Sequence, residues 1–137
     1  MRVVTDTNVV ISGLLWSGPP NLILKWARDA KLEIITCEET ANKLKQVIRY
    51  KRFSKRLSEL ETTPGEAFAY YMNLVTFVPD PKNNPTVVHE DPFDNIFLAL
   101  ARENKALLII SGDGHLLKLK ETNAIQIVTP SEAVRVI

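Results

Sequence analysis

The sequence predicts an α/β domain, a mostly parallel sheet with helices packed on both faces. Three observations predict it. Short apolar runs of strand length alternate with stretches of helical period along the chain. Residues 106–110 are apolar almost throughout, as in a strand buried on both faces. The junctions carry helix-start chemistry, with Asp6-Thr7-Asn8, Pro19-Pro20, Asp91-Pro92 and Thr129-Pro130 each preceding a helical pattern.

Val3 and Val4 form a short strand that ends in Asp6, and the apolar run from Val9 to Leu15 reads as the helix after it. Gly18-Pro19-Pro20-Asn21 is punctuation, and Leu22, Ile23, Trp26 and Ala27 then recur at helical spacing up to Ala30. Residues 32–36 are a second strand. A helix starts at about Glu38 with Leu44, Val47 and Ile48 as its apolar stripe and is expected to run into a basic segment. Pro64 and Gly65 break the chain before a helix carrying Ala67, Phe68, Tyr71 and Leu74, which leads into a brief strand at 75–78. Residues 79–90, with three prolines and two asparagines, read as a loop. Asp91-Pro92-Phe93-Asp94 opens a strongly amphipathic helix with Phe93, Ile96, Phe97, Leu100 and Ala101 on one face. The strand at 106–110 follows. Ser111-Gly112-Asp113-Gly114-His115 then turns into a short helix with Leu116 and Leu117, and 125–128 is the last strand. Thr129-Pro130-Ser131-Glu132 caps a terminal helix. The pattern gives five strands with right-handed crossovers.

At 137 residues the chain is expected to form one domain, 1–137, with 45% hydrophobic and 24% charged residues, an ordinary globular balance. A lone cysteine, Cys37, excludes an internal disulfide framework and fits a reducing cytoplasm. The apolar runs fall far short of the roughly 20 residues that span a bilayer, and no secretory signal opens the chain. The expectation is a soluble cytoplasmic protein. A net charge of +1 hides an asymmetry: residues 43–56 hold seven basic side chains and no acid, which leaves −6 for the rest.

In an open parallel sheet ligands bind at the carboxyl ends of the strands. Asp6 ends the first strand and Asp113 follows the fourth, so the two share an edge if those strands are neighbours. Converging carboxylates repel one another unless a cation offsets them. Hard oxygen donors of this kind suit Mg²⁺ or Mn²⁺, which can polarise a phosphate and activate water. Each acid alone also reads as a helix cap: Asp91 with Asp94 at the third helical position, Asp113 before Leu116, and Asp6 before Val9. Capping and ligation are compatible.

Val4-Thr5-Asp6-Thr7-Asn8, Asp91-Pro92-Phe93-Asp94-Asn95 and Ile110-Ser111-Gly112-Asp113, in this order and spacing, resemble the PIN domain, and nearly the whole chain is covered. The subtype it resembles most is the toxin of toxin–antitoxin pairs. The resemblance implies a five-stranded parallel sheet in order 3-2-1-4-5 and a Mg²⁺- or Mn²⁺-dependent ribonuclease whose metal is held by Asp6, Asp94 and Asp113. It further implies a homodimer paired through amino-terminal helices, and a protein antitoxin as partner. One position departs. The family's glutamate before the leucine of the helix after strand two aligns with Lys43, in Asn42-Lys43-Leu44. A lysine there can weaken metal binding, pair with Asp6 or Asp94, or contact substrate phosphate; Glu39 and Glu38 lie about one turn away and can partly compensate. A further acid that the family often has two residues after Asp113 is His115. The alternative is thus a catalytically impaired PIN domain that binds RNA or protein.

The basic run interleaves Tyr50 and Phe53 with Lys and Arg, the composition of a strand-binding surface in which cations meet phosphates and rings stack on bases. The competing reading is a solvated helix end whose aromatics face the core. Candidate substrate contacts are Asn8, Ser111, Lys43, Arg49, Lys51 and Arg52. Trp16 and Trp26 read as core or interface anchors, His89 as a surface histidine and Cys37 as a small apolar residue. Neither a serine or cysteine nucleophile with a histidine–acid relay nor a glycine-rich phosphate loop is present. Phosphoryl transfer through Asp6 would want a second aspartate two residues on, where the chain has Asn8.

Overall fold

A computed structural model describes residues 1–82, 95–112, 121–122 and 125–137. The central strand is β1 (Arg2–Thr5), parallel to β2 (Glu33–Thr36) on one side and to β4 (Leu108–Ile110) on the other. β3 (Thr76–Phe77) lies outside β2, and β6 (Ile125–Val128) lies outside β4. These five strands are all parallel and stand in the expected 3-2-1-4-5 order, counting β6 as the fifth. An additional two-residue strand, β5 (Glu121–Thr122), pairs antiparallel on the outer edge of β6. Two residues carry no readable period, so this edge was not legible in the sequence.

Seven α-helices are described: α1 (Thr7–Leu15), α2 (Pro19–Arg28), α3 (Glu38–Val47), α4 (Ser54–Glu59), α5 (Pro64–Met72), α6 (Asn95–Glu103) and α7 (Pro130–Val136). Strand alternation divides the core. Val3, Ile34, Leu108 and Ile110 face one side with the buried residues of α1, α2, α3 and α5. Val4, Ile35, Ile109 and Ile127 face the other with Ile96, Phe97 and Leu100 of α6. The expected helices on both faces are present. Among the described residues no helix is long and apolar enough to cross a membrane.

Local chemistry sets several boundaries. Thr63 accepts from the Glu66 amide, and Thr129 and Glu132 form a reciprocal capping box at the start of α7. α1 and α2 approach closely at Gly13, where a Cβ would stand 2.8 Å from both Leu24 Cδ1 and the Pro20 carbonyl oxygen. Asn21 ties the same place by donating to the Gly13 carbonyl at 2.8 Å. As expected, α3 runs into the basic segment, carrying Lys43 and Lys45. It stops at Val47, Tyr50 turns extended (φ −62°, ψ 141°), and the chain restarts as a 3₁₀ turn at Lys51–Phe53 followed by α4. The helical stripe at Leu44, Val47 and Ile48 gave no sign of that turn, because Phe53 and Leu57 resume apolar anchoring at nearly the same spacing.

Candidate metal centre and basic surface

Parallel pairing brings the carboxyl ends of β1 and β4 side by side. The ladder continues one residue past both strands, with the Asp6 amide donating to the Ile110 carbonyl at 3.1 Å and the Ser111 amide to the Val128 carbonyl at 2.9 Å. Asp6 and Ser111 therefore emerge together at the sheet edge. Both side chains are buried, Asp6 at 4% exposure. Asp6 Oδ1 accepts the Val9 amide at 2.8 Å and so caps α1, as the capping interpretation expects. Its other oxygen, Oδ2, accepts the Ser111 hydroxyl at 2.5 Å. A carboxylate held at both oxygens has little rotational freedom. Capping fixes the group and does not consume it, since each carboxylate oxygen keeps further lone pairs.

Asp94 and Asp113 lie outside the described residues, as do Asp91, His89, His115 and the short helix at 116–117. Their neighbours in sequence are informative. Asn95, next to Asp94, is buried at the first position of α6. Gly112, next to Asp113, follows Ser111 at the same sheet edge as Asp6. Among the described residues no three of His, Cys, Asp or Glu cluster as a metal would need, so Asp6 is the described member of the expected set. Its oxygen donors, with Ser111 alongside, fit a hard divalent cation.

The other expected site residues divide into two places. Asn8 is exposed in the first turn of α1. Lys43 is half-buried on α3, one turn beyond Thr40, and engages a partner. Thr40 itself is buried beside the end of β2, its hydroxyl 2.9 Å from that of Thr36. Glu38 and Glu39 are exposed at the start of α3, where the Glu39 amide is capped by Asp80 Oδ1 at 3.1 Å. Asp80 in this capping role was not anticipated, because it lies forty-one residues away in a proline-rich segment that carries no helix signal.

Arg49, Lys51 and Arg52 lie elsewhere. They belong to the turn after α3, which meets the far end of α1 where Arg56 Nε donates to the Leu15 carbonyl at 2.7 Å and Phe53 meets Trp16. At 1.5 Å per residue, α1 puts this contact about 13 Å from its Asp6 end. Rings organise the arginines. The Arg52 guanidinium sits over both Tyr50 (5.4 Å) and Phe53 (4.9 Å), and Arg56 over Trp16 (5.9 Å), whose ring meets Phe53 edge-on at 6.5 Å. The aromatics divide: Phe53 is core at 8% exposure, as the helix-end interpretation expects, and Tyr50 is open at 41%. Trp16, 44% exposed, is a platform for Arg56 and not the core anchor that was one expectation for it.

A second polar feature lies beneath the sheet edge. Tyr71 of α5 is buried against the ends of β1 and β2, and burial pushes its phenol up to about 12, with the Thr36 hydroxyl pulling the other way. No group reaches Thr5 Oγ1 at hydrogen-bonding distance, and it is the one such buried side-chain atom among the described residues.

With this geometry established, the chain was compared with known proteins. The PIN domain family model matches residues 2–115. Among solved structures the chain is similar to that of PAE2754 from Pyrobaculum aerophilum, with a TM-score of 0.61, 16% identity, and coverage of 98% of this chain and 97% of that one. At that identity the likeness speaks for the fold. Comparison with curated proteins gave no match.

Proposed function

This chain belongs to the PIN domain family, a family of nucleases, and we propose that it is an endoribonuclease that hydrolyses RNA phosphodiester bonds with Mg²⁺ or Mn²⁺. The observation that supports this best is the buried Asp6 carboxylate at the carboxyl end of the central strand, held by the Val9 amide and the Ser111 hydroxyl. In this proposal Asp6, Asp94 and Asp113 hold the cation, which supplies Lewis-acid polarisation of the phosphate and activation of water. Ser111 orients Asp6, so a fixed carboxylate faces the reacting phosphate without reorganising. Asn8, exposed in the first turn of α1, is an uncharged donor for a phosphate oxygen, and Arg49, Lys51 and Arg52 bind the strand farther along. Exposed Trp16 and Leu22 on the amino-terminal helices support the homodimer. A toxin role with a restraining antitoxin completes the proposal and comes from the resemblance alone.

The experiment is cleavage of end-labelled single-stranded RNA with Mn²⁺ or Mg²⁺. Wild type is expected to cut and Asp6→Asn to lose at least a hundredfold in rate; no cleavage by wild type with either ion rejects the proposal.

Lys43 favours a second reading, a binding module without catalysis, because a lysine stands where the family has an acid. Lys43→Glu separates the two. In the catalytic reading it weakens RNA binding through loss of a phosphate contact. In the binding-module reading it raises Mn²⁺ affinity and brings cleavage where wild type has none.

A further inference from the structure

The turn after α3 and the start of α5 enclose a cleft of roughly 240 Å³. Its floor is apolar, from the buried side chains Ile48 and Leu57, and its rim carries Arg49, Tyr50, Ser58 and Thr62. Other rim hydroxyls are occupied: Ser54 donates to the Lys51 carbonyl, and Thr63 caps α5 through Glu66. Among the described residues Ser58 and Thr62 make no side-chain hydrogen bond, and Arg49 has no carboxylate partner. The same is true of Lys51, Arg52 and Lys55, whereas Arg56 spends its charge on the Leu15 carbonyl and Glu59. Arg49 thus lines a concave site that has an aromatic edge, an apolar floor and two open hydroxyls, and Lys51, Arg52 and Lys55 lie close by in sequence.

We propose that this cleft is a single-nucleotide subsite for unpaired RNA, apart from the Asp6 edge. This rests on the ribonuclease reading and narrows its substrate to single strands. The chemistry of each part matches one part of a nucleotide. A base splayed out of a strand offers a flat apolar face, which Tyr50 takes by stacking over the Ile48–Leu57 floor. Its polar edge meets the Ser58 and Thr62 hydroxyls. The flanking phosphates meet Arg49 and Lys51, and Arg52, pinned between the Tyr50 and Phe53 rings, presents its N–H edge without the usual loss of side-chain freedom. A duplex cannot use such a cleft, because its bases are paired and stacked. A purely anionic ligand would have no use for the ring and the apolar floor.

The test is fluorescence anisotropy in EDTA, with the full chain and a labelled single-stranded RNA of about 12 nucleotides, against the same RNA annealed to its complement. Expected is tighter binding of the single strand, a loss of about tenfold in Tyr50→Ala, and near wild-type binding in Tyr50→Phe. Arg49→Gln is expected to weaken binding and to reduce the salt slope by about 1. Equal binding of the duplex, or Tyr50→Ala binding like wild type, overturns the subsite while leaving RNA cleavage at Asp6 intact. Failure of wild type to bind either RNA overturns the ribonuclease reading, and the subsite with it.

Discussion

Asp6 does two jobs, and two substitutions pull them apart. In Asp6→Asn the side-chain oxygen still accepts the Val9 amide, because asparagine caps helices about as well as aspartate. The Ser111 hydroxyl can rotate to accept from the new amide, so both neighbours stay satisfied. The expected loss of stability is under about 1 kcal/mol. Asp6→Ala removes the cap, about 1 kcal/mol, and the bond from the buried Ser111 hydroxyl, a further 1 kcal/mol or so. Its total is about 2 kcal/mol. Urea unfolding without metal reads both, and the slope against urea should be unchanged for each. Cleavage, in contrast, should be lost equally in the two variants. If Asp6→Asn were as unstable as Asp6→Ala, the carboxylate charge itself would be what the fold needs at this edge, and the separation of cap from ligand would be refuted.

Gly13→Ala should destabilise by about 1 to 2 kcal/mol in urea unfolding, even though alanine is the better helix former, because the added Cβ meets the immobile Pro20 carbonyl oxygen at 2.8 Å. An unchanged midpoint would mean that α1 and α2 can part at little cost. Tyr71 gives a pH prediction. Its phenol titrates near 10 when unfolded and at about 12 in the fold, so the stabilisation it carries is complete below pH 10 and is lost as pH rises towards 12. Wild type should lose up to about 1.4 kcal/mol per pH unit more steeply than Tyr71→Phe over that window; parallel profiles would show that the hydroxyl reaches solvent.

Much of the fold was legible because its signals are local. Val3-Val4 before Asp6, the apolar strand before Ser111, and the Thr129–Glu132 box state their own conformation. Parallel order then followed from the motif resemblance, and the sheet carries it. The turn at Tyr50 was not legible, since it depends on the Arg56 bond to the Leu15 carbonyl, forty-one residues apart in sequence. The same long-range contact sets the basic turn against the distal end of α1. Ser111 was legible as a site residue through its motif, but its bond to Asp6 depends on β1 and β4 being neighbours. Arginines seated on Tyr50 and Trp16 are likewise tertiary facts; the sequence shows rings among cations but not which cation each ring holds.

Isothermal titration of Mn²⁺ into the full chain, wild type against Asp6→Asn, addresses the metal centre directly. The carboxylate at the end of β1 is expected to bind the ion, so wild type should give a saturable isotherm, and the variant should weaken it by more than about tenfold. Identical isotherms for the two proteins would contradict the account, leaving Asp6 a helix cap and the sheet edge without its cation.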